Sequence, residues 1–184
     1  LTLTATPIPR TLGLASFGDL DLTSIKTMPK NRKNVITKFI SMDELNMLST
    51  VLRKHLLRGE QIYIVAPLIM ENDSFDYIDI DKAYTIFNEL LPGFNIKTLH
   101  GKMKSDVKKQ IMLDFKNHEI DCLISTTVIE VGVDVPNAVI MVIENAERFG
   151  LSQLHQLRGR VGRGSAKSTC VLVTDATGDE ATAR

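Results

Sequence analysis

The stretch VITKFISMDELNMLSTVLRKHLLRGEQIYIVA, Val35 to Ala66, decides the fold class. Its ends, Val35 to Ile40 and Gln61 to Ala66, are rich in β-branched and aromatic side chains that suit a pleated surface. Between them Leu45, Leu48, Leu52 and Leu56 recur at helical spacing and mark one apolar face. Ser41 and Glu44 have the spacing of a capping box, and Gly59 stands where the helix should stop. Strand, helix and strand in that order form the repeating unit of a parallel sheet.

The alternation continues outward. Further strand candidates are Ile96 to Leu99, Asp121 to Ser125, Val139 to Ile143 and Thr169 to Val173. A second helix is expected from near Asp79 to Leu91, ending before Pro92 and Gly93, and a third should carry Val107, Ile111 and Phe115 on one face. Residues 68–78 read as a polar excursion. No internal repeat, low-complexity tract or heptad array interrupts the pattern. The expected fold is α/β: a single lobe with a mostly parallel sheet and helices on both faces. In such sheets ligands bind beyond the carboxyl ends of the strands.

The chain has 184 residues and a formal net charge of zero, so no global basicity attracts a polyanion and any nucleic-acid contact must come from local clusters. Three exist: Lys26, Lys30, Arg32, Lys33 and Lys38; Lys102, Lys104, Lys108 and Lys109; Arg148, Arg158, Arg160, Arg163 and Lys167. Cys122 and Cys170 sit in apolar runs and read as buried free thiols, which fits a reducing cytosol. No apolar run approaches the roughly 20 residues of a membrane span. Position 1 is Leu and opens directly on a dense motif, so the chain is expected to be part of a longer protein.

The most specific chemistry lies in QLHQLRGRVGRG, Gln153 to Gly164. Leu151, Leu154 and Leu157 share one helical face, and Gln153, Gln156 and Arg160 fall on another. Gly159 and Gly162 should end the helix and leave Arg160 and Arg163 on a rigid support. A guanidinium stays charged and can donate to several oxygens at once, which suits it to a transferring phosphoryl group. Upstream, STTVIEVGVDVPNA, Ser125 to Ala138, runs from a buried strand into hydroxyls. Thr126 and Thr127 stand where hydroxyls and free amides can bind phosphate oxygens, or simply cap a helix. In TLHGKM, Thr98 to Met103, His100, Gly101 and Lys102 follow another strand on the same sheet edge. The Gly101 amide or Lys102 could meet a phosphate, whereas a histidine such as His100 more often packs or hydrogen-bonds within the fold.

The string GLSQLHQLRGRVGRG resembles motif VI of superfamily 2 helicases, in the form shared by RecG-type enzymes and the transcription-repair coupling translocases. That resemblance implies that Arg160 and Arg163 reach an ATP γ-phosphate held by another motor lobe, with Gln156 supporting the nucleotide or the contact between lobes. STTVIEVGVDVPNA is similar to motif V, which implies a DNA-backbone contact by Thr126 and Thr127 and places Gly132 and Asp134 beside the nucleotide. TLHGKM resembles the motif between IV and V that grips a nucleic-acid strand. At the start, LTLTATPIPRT resembles motif III, in which Thr4 and Thr6 would couple nucleotide state to lobe movement. FGDLDLTSI, Phe17 to Ile25, and QIYIVAPLI, Gln61 to Ile69, look more like the RecG branch than the transcription-coupled one.

The resemblance implies a RecA-like second helicase lobe at 29–184, preceded at 1–28 by the tail of the first lobe and a linker. No G-x-x-x-x-G-K-[ST] phosphate loop and no acidic Mg2+-binding box occurs in the sequence, so the chain alone is expected not to hydrolyse ATP and to contain no metal ligands. The implied parent is a monomeric bacterial, cytoplasmic, nucleoid-associated enzyme that uses ATP and Mg2+. Its implied partners are branched or duplex DNA, the first helicase lobe and an N-terminal wedge domain, and its implied work is fork reversal and branch migration. The alternatives are a transcription-repair coupling lobe, an RNA helicase and a non-catalytic α/β module that binds nucleic acid or nucleotide.

Overall fold

The computed structural model describes residues 34–67, 80–126, 135–164 and 166–175, with the backbone alone at 69–71, 74–76 and 78–79. Thr4, Thr6, Thr127, Gly132, Asp134 and the expected linker lie outside the described residues.

Six strands form one sheet: β1 (Ile36–Ser41), β2 (Gln61–Val65), β5 (Ile96–Leu99), β6 (Cys122–Ser125), β7 (Ala138–Ile143) and β8 (Thr169–Thr174). Their order is β1-β8-β7-β2-β6-β5, and every pairing in it is parallel. The helices α1 (Leu45–Leu56), α2 (Ile78–Leu90), α3 (Ser105–Lys116) and α4 (Leu151–Arg158) supply the crossovers. Residues expected as a polar excursion contain two short strands, β3 (Ile69–Glu71) and β4 (Ser74–Asp76), paired antiparallel as a hairpin apart from the main sheet.

Strand alternation divides the core into two apolar layers. Ile62, Ile64, Cys122 and Ile124 face Leu48, Leu52 and Leu56 of α1 and Ala83 and Phe87 of α2. Tyr63, Val65, Leu123 and Met141 face Met112 and Phe115 of α3 and Leu157 of α4. The central strands β2, β6 and β7 are therefore buried throughout, as expected for a parallel sheet covered on both sides. β1 is an edge strand, and Phe39 on it is 64% exposed.

Local chemistry sets the element boundaries. Glu44 Oε2 accepts from the Ser41 backbone N–H at 2.8 Å and from its hydroxyl at 3.2 Å, which opens a short 3-10 turn (Met42–Glu44) leading into α1. Gly59 ends the connection at φ +76°, a conformation glycine adopts without steric cost.

Two expected apolar faces are shorter than their spacing implied. Val107 is 47% exposed, and Met112 is buried beside Phe115 instead. Each four-residue step advances about 40° past a full turn, so Val107 has rotated away from the sheet at the first turn of α3. Three-residue steps drift the other way along α4, where Leu157 is buried, Leu154 half-buried and Leu151 63% exposed.

Candidate nucleotide and nucleic-acid site

Because the sheet is parallel, every strand ends at one edge and begins at the other, and the motif residues are divided between these two edges.

At the carboxyl edge, β5 and β6 are neighbours with Leu99 opposite Ser125, so their following turns emerge side by side. The Thr126 N–H donates to the Leu99 carbonyl at 3.3 Å, which ties the start of the Thr126 segment to the His100 turn. His100 is half-buried, Gly101 and Lys102 are exposed, and the turn closes with the Met103 N–H donating to the His100 carbonyl at 3.2 Å. Lys108 of α3 reaches back to the Gly101 carbonyl at 3.5 Å. His100, Gly101, Lys102 and Thr126 are thus brought together as the sequence indicated. Thr126, however, is 1% exposed, with its hydroxyl buried and meeting no hydrogen-bond partner among the described residues. Its side chain is part of the floor of this edge rather than an exposed contact, whereas Lys102 is an exposed residue.

At the amino edge stands the segment after α4. Gln153 Oε1 accepts from the Gly150 N–H at 3.0 Å at the start of this helix, and Gly159 caps its end. α4 leaves the carboxyl edge after β7 and must return to the start of β8, so its last turn is delivered to the amino edge. Arg158 Nη2 donates to the Val35 carbonyl just before β1 at 2.8 Å. Gly162, at φ +77°, lies so close to Val35 that a Cβ there would stand 2.7 Å from Val35 Cγ2. A Cβ on Gly164 would stand 2.6 Å from the carbonyl oxygen of Pro136, just before β7. The arginine segment is thereby seated on the starts of β1 and β7. A crossover helix thus carries Arg160 and Arg163 to the edge opposite the strand carboxyl ends.

Gln156 is exposed and lies one helical turn before Arg160, which is half-buried. Among the described residues the Arg160 guanidinium has no hydrogen-bond or ion-pair partner. Arg163 is exposed and donates from Nε to the Gly159 carbonyl at 3.4 Å. A guanidinium beside small residues suits a polyphosphate oxygen, because several N–H donors in one plane replace solvent around the anion without a blocking side chain. Among the described residues no group of three or more His, Cys, Asp or Glu side chains gathers to hold a metal.

Thr126 follows β6 at the carboxyl edge, and Val135 precedes β7 at the amino edge. Sequence reasoning did not assign Val35, Pro136, Asn137 or Gly164 to the site. The Asn137 side chain donates to the Gly59 carbonyl at 2.6 Å and contacts His118 Nδ1 at 3.1 Å, which holds the residue beside Pro136 to the rest of the amino edge.

Burial raises both cysteine thiols, far above the usual range for Cys122, where the Asp121 charge adds to the effect. Cys170 is pushed up to about 11 by burial, and the nearby Arg158 charge pulls in the other direction. Neither thiol is poised as a nucleophile.

The Pro136 contact leaves no room for a side chain at position 164. Gly164→Ala should lower stability by about 1–3 kcal/mol, as forced overpacking does. Urea unfolding checks the expectation; an unchanged midpoint would mean that the loop relaxes around the methyl group.

The six-stranded parallel sheet covered by helices is the fold of a RecA-like second helicase lobe. Residues 43–165 match the helicase conserved C-terminal domain family, and the chain belongs to that family. It is 50% identical to the ATP-dependent DNA helicase RecG of Streptococcus pneumoniae over 179 residues, 95% of this chain and 26% of the relative. To the same enzyme of Thermotoga maritima it is 48% identical over 185 aligned positions, 100% of this chain and 24% of the relative. The solved structure of RecG bound to a three-way DNA junction aligns with a TM-score of 0.80 and 46% identity, over 98% of this chain and 23% of that one. The RecG resemblance read from the motifs is borne out, and the chain spans about a quarter of the length of these relatives.

Proposed function

We propose that this chain is the second motor lobe of an ATP-dependent translocase acting on branched DNA, in which the amino edge completes a nucleotide site and the carboxyl edge grips a DNA backbone. The observation that carries this reading is the seating of the arginine segment against Val35 and Pro136, which leaves Arg160 available at the edge opposite the Lys102 turn. A first lobe would hold ATP and Mg2+ and supply the phosphate loop that this sequence lacks. Water attacks the γ-phosphorus, ADP leaves, and Arg160 and Arg163 stabilise charge on the transferring oxygens. Gln156 orients the arginine side of the site, with Gly132 and Asp134 beside the nucleotide.

At the other edge, Lys102 and the Gly101 amide bind phosphate oxygens and Thr127 adds a hydroxyl. Buried Thr126 positions the turn through the bond from its amide to Leu99. Thr4 and Thr6, in the tail of the first lobe at 1–28, couple nucleotide state to lobe movement. Closure and reopening of two lobes then step a monomeric, cytoplasmic, nucleoid-associated protein along duplex DNA, reversing forks and migrating branches with the help of a wedge domain.

The test is strand separation by the full-length protein on a three-way junction and on a linear duplex of equal length, each with and without ATP. ATP-dependent separation confined to the junction is expected. Equal action on both substrates would remove the branched-DNA reading, and action without ATP would remove the motor.

A further inference from the structure

Arg158 belongs to the arginine-rich stretch, but its geometry differs from that of the two arginines assigned to the nucleotide. It is half-buried, and its one hydrogen bond among the described residues runs to the Val35 carbonyl, 123 positions away in sequence. Its Nε is buried and meets no acceptor among the described residues. The bond to Val35, just before β1, turns the guanidinium toward the starts of the strands rather than outward. A guanidinium committed inward cannot also be a finger.

What it holds is the residue through which the chain enters β1. Val35 is caught at two points and its neighbour at a third. Its carbonyl accepts from Arg158, its side chain packs against Gly162, and the next residue, Ile36, donates to the Ser168 carbonyl at 3.0 Å. All three partners belong to α4 or to the segment between it and β8. Arg160 lies two residues beyond Arg158, and its own N–H donates to the Leu157 carbonyl at 2.9 Å, so little slack separates the anchor from the finger. A shift of Val35 therefore moves the base on which Arg160 stands.

We infer that Arg158 is a positioning residue: by clamping the entry segment of β1 to the end of α4, it sets where Arg160 meets the nucleotide and passes displacement of the entry segment to the finger. The inference rests on the finger reading proposed above. A lysine can still donate to the Val35 carbonyl but lacks the second arm of the fork, whereas methionine keeps the length of the side chain and loses the bond.

The test measures junction-stimulated ATP hydrolysis by the full-length protein. Arg158→Met should lower kcat about tenfold while leaving the KM for ATP and the affinity for the junction within about twofold, because an interaction felt only in the transition state is weakened. Arg158→Lys should recover most of the loss, and a merely structural arginine would not show that pattern. If Arg158→Met does not fold, Arg158→Gln, which is too short to keep the Val35 bond, and Gly162→Ala, alone and together, give a second readout. Both act through Val35, so their effects on kcat should be less than additive, and additivity would overturn the inference. Arg160→Ala, run in parallel, separates the two proposals. Loss of hydrolysis in Arg160→Ala with wild-type kcat in Arg158→Met refutes the clamp and keeps the finger; undiminished hydrolysis in Arg160→Ala removes the finger and the clamp with it.

Discussion

Arg160→Ala in the full-length protein is expected to reduce ATP hydrolysis by about 10³-fold, at the lower end of what an arginine finger contributes in NTPases. The size of the effect follows from what the residue does in the fold. Its guanidinium has no partner among the described residues, so truncation opens no core cavity and strands no buried acceptor there. Folding and junction affinity should therefore be close to wild type, and the loss should fall on kcat. Steady-state hydrolysis with saturating junction DNA, together with a binding titration, checks both halves. A fall in DNA affinity that matches the fall in rate would instead place Arg160 among the DNA contacts.

Phe115→Ala should cost about 3–5 kcal/mol, the range for removing a fully enclosed aromatic ring. Phe115 is 0% exposed and meets Tyr63 edge-on with ring centroids 4.8 Å apart. Its backbone carbonyl also accepts from buried Gln61 Nε2 at 2.5 Å, and Gln61 donates to the Ile120 carbonyl at 2.7 Å. The ring therefore locks the end of α3 onto β2, and α3 in turn carries Lys108 to the Gly101 turn. Against a typical domain stability of about 5–15 kcal/mol, such a loss leaves the lobe marginal. A urea midpoint lowered by less than the equivalent of about 1 kcal/mol would show that the layer between α3 and the sheet repacks.

Much of the architecture was legible because it depends on short-range signals. Leu45, Leu48, Leu52 and Leu56 form a buried stripe, Ser41 and Glu44 cap each other, and Gln61 to Val65 is a central strand buried on both sides. The adjacency of the His100 turn and Thr126 was also readable, since both follow strands that parallel pairing sends to one edge. Drift along a helix was the first thing simple spacing missed, and it left Val107 and Leu151 outside the core. Contacts between distant segments were the second. Nothing local in Val35 announces that Arg158 will bond to its carbonyl, and nothing near Gly164 announces the oxygen of Pro136. The arginines could be recognised from sequence, but the edge they occupy and the backbone that seats them required the fold.

The measurement that bears most directly on the account is ATP hydrolysis by the full-length protein and by the 184-residue chain alone, each with and without three-way junction DNA. Hydrolysis stimulated by the junction is expected in the full-length protein and none by the chain alone, because the arginines complete a phosphate site that another lobe supplies. Turnover by the chain alone, or full-length turnover indifferent to DNA, would contradict it.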